Sequence, residues 1–491
     1  MWVTMGNVWA HLTRYTQEER KWLDEYLTYK NDKAFFTKGP PTLSMFDWKQ
    51  NAFPAGLLAT IKKDAQAEGF TVEVSDPRTD KVLIEPKPDL AWLRWYQLEA
   101  VRRSCAAERG ILWLPTGAGK TEVAVGLTRA MPGRWLFIVH RWILARQAAE
   151  RWELRTPGQK AGRIGDGNWD ADWDRHTFIA ATFQTLSARL KAGDPATLAL
   201  LSGATRLIVD EAHTLPSDTA SNVAQALVNA RVRIGLSGTP LAREDKRSLV
   251  AIASLGGVIY RLRAQTLIEE GVLARPMIRA LISREQVDAV SWEHCCSRGI
   301  TRSAYRNRVV LAAAKMAEHP TLIFVKEVPH GRALEKMATA GGLRAKFVHG
   351  EMKQVLRDQA LAQLAYGDLD AVICTVVFNE GVDIPGLRSV VIASGGQSVI
   401  QAIQRVGRGM RVSEGKTDFT AYDIRDVGCG CLSPKYQGLR HTGCKWLAKH
   451  SKARFGAYVA EGYTVADEEV GFAPPAPRDG SLKVGPGSPP A

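Results

Sequence analysis

The chain reads as α/β, with two parallel-sheet domains in tandem behind a small α+β domain. From residue 89 onward, short apolar runs alternate with helical segments, as expected of strands covered on both faces by crossover helices. A second series of such runs begins at Thr321. The length, 491 residues, exceeds what one ordinary core organises, so about three domains are expected.

Residues 1–88 contain an amphipathic, aromatic-rich stretch from Glu18 to Tyr29, followed by a Gly39-Pro40-Pro41 break and a second helical pattern from Ala55 to Glu68. Phe70 to Ser75 alternates as a half-buried strand does, and Asp76-Pro77 turns the chain. Pro86-Lys87-Pro88 is a linker. In the first α/β domain, residues 89–272, the expected strands are Ile111–Leu114, Trp135–Val139, Thr177–Ala181, Leu207–Asp210 and Ile234–Leu236. In the second, residues 273–465, they are Thr321–Val325, Ala345–Val348, Ala371–Cys374 and Ser389–Ala393. Pro, Gly and Ser dominate the end of the chain, so residues 466–491 are expected to form a disordered tail.

Apolar residues make up 45% and charged residues 24%, which excludes the fibrous and wholly disordered classes. No apolar run approaches the roughly 18 residues of a membrane span, and no signal-peptide pattern opens the chain. A soluble, cytoplasmic protein without a membrane partner is expected. Seven scattered cysteines do not form a disulfide pattern. The net charge is +14, yet residues 1–88 hold 12 bases and 12 acids, so the excess lies in the α/β domains. Such an excess suits a polyanionic track, with affinity falling steeply as salt rises. A generally basic surface without a track is the plainer alternative.

Pro115-Thr116-Gly117-Ala118-Gly119-Lys120-Thr121 lies between an apolar run and a helical pattern. This is the composition of a phosphate cradle. Glycines let backbone N–H groups curl round a polyphosphate, and the helix N-terminus adds partial positive charge. Lys120 would reach the β- and γ-phosphates of ATP, and the Thr121 hydroxyl would ligate Mg²⁺. The strict spacing fails only at its first position, where Leu114 stands.

Asp210 and Glu211 follow the apolar run Leu207–Val209, at the strand end where open parallel sheets bind ligands. Asp210 would hold Mg²⁺, and Glu211 would orient and deprotonate the attacking water. Gln404-Arg405-Val-Gly-Arg408-Gly-Met-Arg411 repeats arginine at three-residue spacing, which on one helical face brings the guanidiniums together. Planar, permanently charged forks suit a transferring phosphoryl group.

Arg94-Trp-Tyr-Gln97, Pro115–Thr121, Asp210-Glu-Ala-His213, Ser237-Gly-Thr239-Pro, Asn379-Glu-Gly381-Val-Asp383-Ile-Pro and Gln404–Arg411 occur in the order found in superfamily 2 helicases. The chain resembles the DEAH-type members, and among them the XPB-like, RecG-like and phage UvsW-like double-stranded DNA translocases. The resemblance covers about residues 88–465 and implies two RecA-like domains. It implies that Gln97 reads the adenine edge, with Trp95 or Tyr96 near the base, and that His213, Ser237 and Thr239 couple nucleotide state to domain position. Gly381 and Asp383 would approach the ribose and γ-phosphate, Arg408 and Arg411 would be arginine fingers, and Gln404 and Arg405 would couple or brace. ATP would then be enclosed only when the two domains close on it.

Contacts to the track would come from His140 and Arg141, from Thr182 and Gln184, and in the second domain from Lys326, His349, Gly350 and Thr375. Cys429, Cys431, His441 and Cys444 could supply zinc ligands, although Cys-x-Cys is tighter than the usual spacing and reduced cysteines are the favoured reading. Trp169 and Trp173, in an acidic and Gly-rich stretch, read as exposed. The expected function is an ATP- and Mg²⁺-dependent DNA helicase or translocase acting on duplex or branched DNA in replication, recombination or repair. An RNA helicase and the motor subunit of a restriction or defence complex are the alternatives.

Overall fold

The computed structural model describes residues 1–30, 40–79, 81–215, 218–238, 248–285, 287, 289, 291–375, 384, 386–413, 415–427 and 442–469. The chain divides into two compact units, Met1–Leu267 and Ile268–Ala491.

The first unit opens with β1 (Trp2–Met5), β2 (Trp9–Arg14), β3 (Thr28–Lys30), β4 (Thr42–Ser44), β5 (Ala52–Pro54) and β6 (Glu73–Ser75). They form a four-stranded sheet, β5-β2-β1-β6, and a separate β3-β4 ribbon. The helix Gln17–Leu27 starts at a capping box: the Thr16 hydroxyl accepts the Glu19 N–H at 3.1 Å, and the Glu19 carboxylate accepts the Thr16 N–H at 2.7 Å. Leu23 and Leu27, one helical turn apart, are fully buried in a core with Val3, Ala10, Phe53 and Ile61. The second helix, Leu58–Ala67, is preceded by a 3-10 turn, Ala55–Leu57.

Eight further strands build the first α/β sheet, in the order β10-β9-β11-β8-β12-β13-β7-β14. They are β7 (Arg109–Trp113), β8 (Trp135–Val139), β9 (Gly162–Gly165), β10 (Asn168–Trp169), β11 (Phe178–Thr182), β12 (Arg206–Asp210), β13 (Val232–Ser237) and β14 (Val258–Arg261). All neighbours run parallel except the β9-β10 hairpin. The central strands are apolar and buried on both faces, as β8 shows with five buried residues in a row.

The second unit contains β15 (Arg275–Ser283), β16 (Thr321–Phe324), β17 (Ala345–Val348), β18 (Ala371–Cys374), β19 (Ser389–Ile392), β20 (Asp418–Asp426) and β21 (Thr464–Glu469). They form one parallel sheet in the order β17-β18-β16-β19-β20-β15-β21. The edge strand β21 is acidic, and arginines of inner strands meet it: Arg279 with Glu468 at 3.2 Å, Arg425 with Asp467. Arg284, one residue past β15, pairs with Glu469 at 2.7 Å. Residues 466–469, expected to belong to a tail, instead pair with β15 as part of β21. Among the described residues, no helix is long and apolar enough to cross a membrane.

Candidate nucleotide site and strand-end loops

Strand β7 delivers the chain to the phosphate loop, and the helix Lys120–Ala130 takes it away. Between them Gly117 and Gly119 adopt φ of +87° and +77°, a left-handed backbone that glycine enters without a steric penalty. A β-carbon at Gly119 would lie 2.5 Å from Gln97 Nε2. Gln97 is buried against the loop: Nε2 donates to the Ala118 carbonyl at 2.9 Å, and Oε1 accepts the Arg94 N–H at 2.9 Å. The amide is thus a strut between the helix Trp95–Ala107 and the phosphate loop. Beside it Tyr96 is buried and Trp95 exposed, with their rings edge to face.

Asp210 ends β12, and Glu211 turns the chain with φ of +50°. A residue bearing a β-carbon is strained there by about 1–3 kcal/mol, a cost met chiefly at functional sites. Lys120 Nζ stands 3.4 Å from Glu211 Oε1, and His213 Nδ1 stands 3.3 Å from Oε2. The loop after β13 closes on the same group, since a β-carbon at Gly238 would lie 3.1 Å from Lys120 Nζ and 3.3 Å from Thr116 Oγ1. Pro115, Ala118, Thr121 and Ser237 complete the setting, with Leu114 N–H donating to the Ser237 carbonyl at 2.9 Å.

The two carboxylates differ in proton affinity. Burial and the neighbouring Glu211 charge push Asp210 above the usual carboxylate range. Burial pushes Glu211 up as well, but Lys120 and His213 outweigh it and hold Glu211 well below that range. The carboxylate of Asp210 at the end of β12 and the hydroxyl of Thr121 in the first helical turn are oxygen donors of the kind that fits a hard divalent cation.

In the second unit the helix Val399–Gly409 begins at Ser398, whose hydroxyl accepts the Gln401 N–H at 3.3 Å. The expected single arginine face is not what forms. Arg405 is buried, donating to Ser394 Oγ at 2.5 Å and Gln401 Oε1 at 3.2 Å, so it braces the helix. Arg408 is half-buried, while Arg411 lies past the helix end, exposed, in a bridge with Leu273. The motif is two residues longer than the helix that Gly409 terminates. Gln404 is buried, and its Nε2 lacks a hydrogen-bond partner among the described residues. Sequence reading did not single out Arg454, which donates to both Asp423 carboxylate oxygens at 2.9 and 3.0 Å and to the Gly396 carbonyl at 2.6 Å. A pair of glycines before a serine cap, Gly395-Gly396-Gln-Ser398, was the available signal that this loop needs an outside anchor. Thr239, Gly381 and Asp383 lie outside the described residues.

The residues expected to hold a track sit at the C-terminal ends of sheet strands. His140 and Arg141 follow β8, and Thr182 ends β11 with its hydroxyl bonded to Thr185 at 2.9 Å, next to exposed Gln184. In the second unit, exposed Lys326 lies just past β16, His349 and Gly350 follow β17, and buried Thr375 follows β18. Strands β17, β18 and β16 are neighbours, so these ends share one rim. Of the zinc candidates, Cys444 is buried and its sulfur accepts the Val287 N–H at 3.3 Å. Cys429, Cys431 and His441 lie outside the described residues. Trp169 and Trp173 are not exposed as expected: Arg189 lies 3.8 Å over the Trp169 ring, and Trp173 Nε1 donates to the Leu200 carbonyl at 2.9 Å. Both pack against the first α/β core.

Residues 91–242 match the family model described as type III restriction enzyme, res subunit, and residues 306–413 match the helicase conserved C-terminal domain. In tandem, these matches give the chain two RecA-like helicase domains, and it resembles the superfamily 2 helicases. Within that class it resembles XPB and UvsW. It is 29% identical over 374 residues to a Rad25 protein of Halobacterium salinarum, covering 72% of this chain and 58% of the relative. It is 25% identical over 453 residues to the ATP-dependent DNA helicase uvsW of Enterobacteria phage T4, covering 85% and 88% respectively. With the DNA 3'-5' translocase XPB2 of Sulfurisphaera tokodaii the identity is 24% over 380 residues, covering 69% and 83%.

Proposed function

We propose that the chain is an ATP-dependent DNA translocase or helicase that remodels duplex or branched DNA. The observation that carries this reading is the Lys120–Glu211 pair, at 3.4 Å, formed where the phosphate loop meets the end of β12. The names of its uvsW and XPB2 relatives, a DNA helicase and a DNA translocase, support the choice of track.

The residues define the chemistry. Lys120 leaves Glu211 for the β- and γ-phosphates when ATP binds. Losing that positive neighbour raises the proton affinity of Glu211, so the base gains strength only when substrate is in place. Glu211 then takes the proton of a water attacking the γ-phosphorus, and His213 keeps its carboxylate oriented. Thr121 and Asp210 would hold Mg²⁺, which when bound offsets charge on the phosphate oxygens. Arg408 and Arg411 stabilise the transferring phosphoryl group, and Gln97 joins the adenine edge to the phosphate loop it already supports. Gly381, Asp383, Ser237, Thr239 and Gln404 relay the nucleotide state. The strand-end residues His140, Arg141, Thr182, Gln184, Lys326, His349, Gly350 and Thr375 grip DNA phosphates.

Phosphate release with duplex DNA, single strands and RNA as separate stimulants tests the reading. Duplex or branched DNA is expected to stimulate most, and Glu211→Gln to lower kcat by about 10²-fold or more with little change in KM. Strongest stimulation by RNA would replace DNA as the track. Turnover that Glu211→Gln leaves intact would remove the assigned base. The res-subunit match also keeps open a motor working beside a separate nuclease, which co-purification with nuclease activity would reveal.

A further inference from the structure

The N-terminal domain is seated on the first α/β domain through one shared helix. The helix Ser248–Leu255 belongs to two cores at once. Its Ala251 and Leu255 are buried with Val209, Ala212 and Leu215 in the core beneath the DEAH segment. Its Leu249 and Ala253 pack instead with Phe53, Leu57 and Ile61 of the N-terminal domain, and Ile252 borders both clusters.

The contacts on either side are close. A β-carbon at Gly56 would lie 2.2 Å from the Ile252 carbonyl oxygen and 2.5 Å from that of Ala253. These are backbone atoms, so no side-chain rotation relieves the overlap. On the opposite side, a β-carbon at Gly235 would lie 2.5 Å from Leu255 Cδ1 and 3.0 Å from Ala212 Cβ. Ala212 stands between Glu211 and His213, and Gly235 is two residues before Ser237 in β13. Only residues 239–247 separate the described end of the Ser237-Gly238 segment from this helix. A second, polar seam holds the same two bodies: Arg231 pairs with Glu108 at 2.8 Å and reaches Asp76 at 3.8 Å, and Arg109 donates to the Asn7 carbonyl at 2.8 Å.

We infer that the N-terminal domain positions the catalytic DEAH loop through the Ser248–Leu255 helix, acting as a built-in regulator of hydrolysis. This rests on the ATPase reading above. The helix is a rigid spacer with the Gly56 turn on one side and Ala212 on the other, in an interior packed too tightly to absorb a shift. A displacement of the N-terminal domain therefore moves the backbone that carries Glu211. Gly56 and Arg231 are positioning residues and touch no nucleotide group.

The test uses the full chain with Gly56→Ala, Gly56→Val and Arg231→Ala, and Val74→Ala as an exposed control in the same domain. Turnover with and without duplex DNA, thermal melting, and amide hydrogen exchange of residues 207–215 without nucleotide are measured together. Both Gly56 variants and Arg231→Ala are expected to change kcat by about 2- to 30-fold, the span of couplings carried through packed networks, with KM for ATP little altered. Exchange at 207–215 rises in these variants, while Val74→Ala matches the wild type. Unchanged exchange at 207–215 in Gly56→Val overturns the inference whatever the activity does. So does a kcat loss that merely tracks the folded fraction in melting. A wild type that turns over no ATP sinks the functional reading instead, and the exchange measurement still decides the coupling.

Discussion

Glu285 lies just past β15 in a buried polar cluster, where Ser303 Oγ donates to its Oε1 and Arg306 binds Asp426 at 2.6 Å. Burial, with Asp426 adding to it, pushes its carboxyl up to about 7 against the pull of Ser303 and Arg306. For an acid raised on folding, stability is complete below the unfolded value and is lost as pH climbs to the folded one. The Glu285→Gln protein is therefore expected to gain about 2 kcal/mol relative to wild type between about pH 5 and pH 7, read by denaturant unfolding at each pH. A pH-independent difference would place the proton elsewhere. This cluster was invisible in the sequence because its members lie as far apart as Glu285 and Asp426 and each reads singly as surface charge. Lys120, Asp210 and Glu211 were legible for the opposite reason: each belongs to a contiguous motif whose chemistry needs those types at that spacing. That Glu211 would pair with Lys120, across 91 positions of chain, took the parallel sheet to show.

At the scale of elements, the C-terminal helix Thr442–Ala460 acts on the helix of Arg405 and Arg408 through a buried clamp. Arg454 and Asp423 form a two-point pair with Tyr458 donating to Asp423 Oδ2 at 3.0 Å, and Arg454 also holds the Gly396 carbonyl ahead of the Ser398 cap. Removing one partner of such a pair strands a buried charge. Arg454→Met is expected to destabilise the second unit by about 3–5 kcal/mol, and Arg454→Met with Asp423→Leu to recover most of that, in equilibrium unfolding. Equal losses in the single and double variants would show that packing, and not charge, is at stake. The short apolar strands β8 and β18 were readable to the residue, because a strand buried on both faces has no polar positions to blur it. Strands β1, β2 and β5 escaped notice, since Trp2–Met5 and Trp9–Arg14 mix aromatic, hydroxyl and charged residues on half-exposed faces. The nine-residue β15 was hidden likewise by Arg275 and Arg279 at two of the three outward positions of its first half.

For the molecule as a whole, the +14 net charge is carried by the α/β domains, on which the strand-end residues Arg141 and Lys326 lie. If about four phosphates are neutralised, the DNA concentration needed for half-maximal stimulation rises about 100-fold between 50 and 200 mM salt. Arg141→Ala and Lys326→Ala should each reduce the log–log salt slope by about one, across all DNA sequences. A slope near zero would mean that the basic excess serves no track. The acidic rim of the second sheet points the other way. A parallel edge offers a row of amides to any like strand, and in β21, an edge among the described residues, that row is fenced by Asp467, Glu468 and Glu469, paired with Arg425 and Arg279 of inner strands and with Arg284 just past β15. Two copies meeting rim to rim would bring together carboxylates whose arginine partners, among the described residues, are already engaged within each copy, so this edge carries its own deterrent to fibre growth.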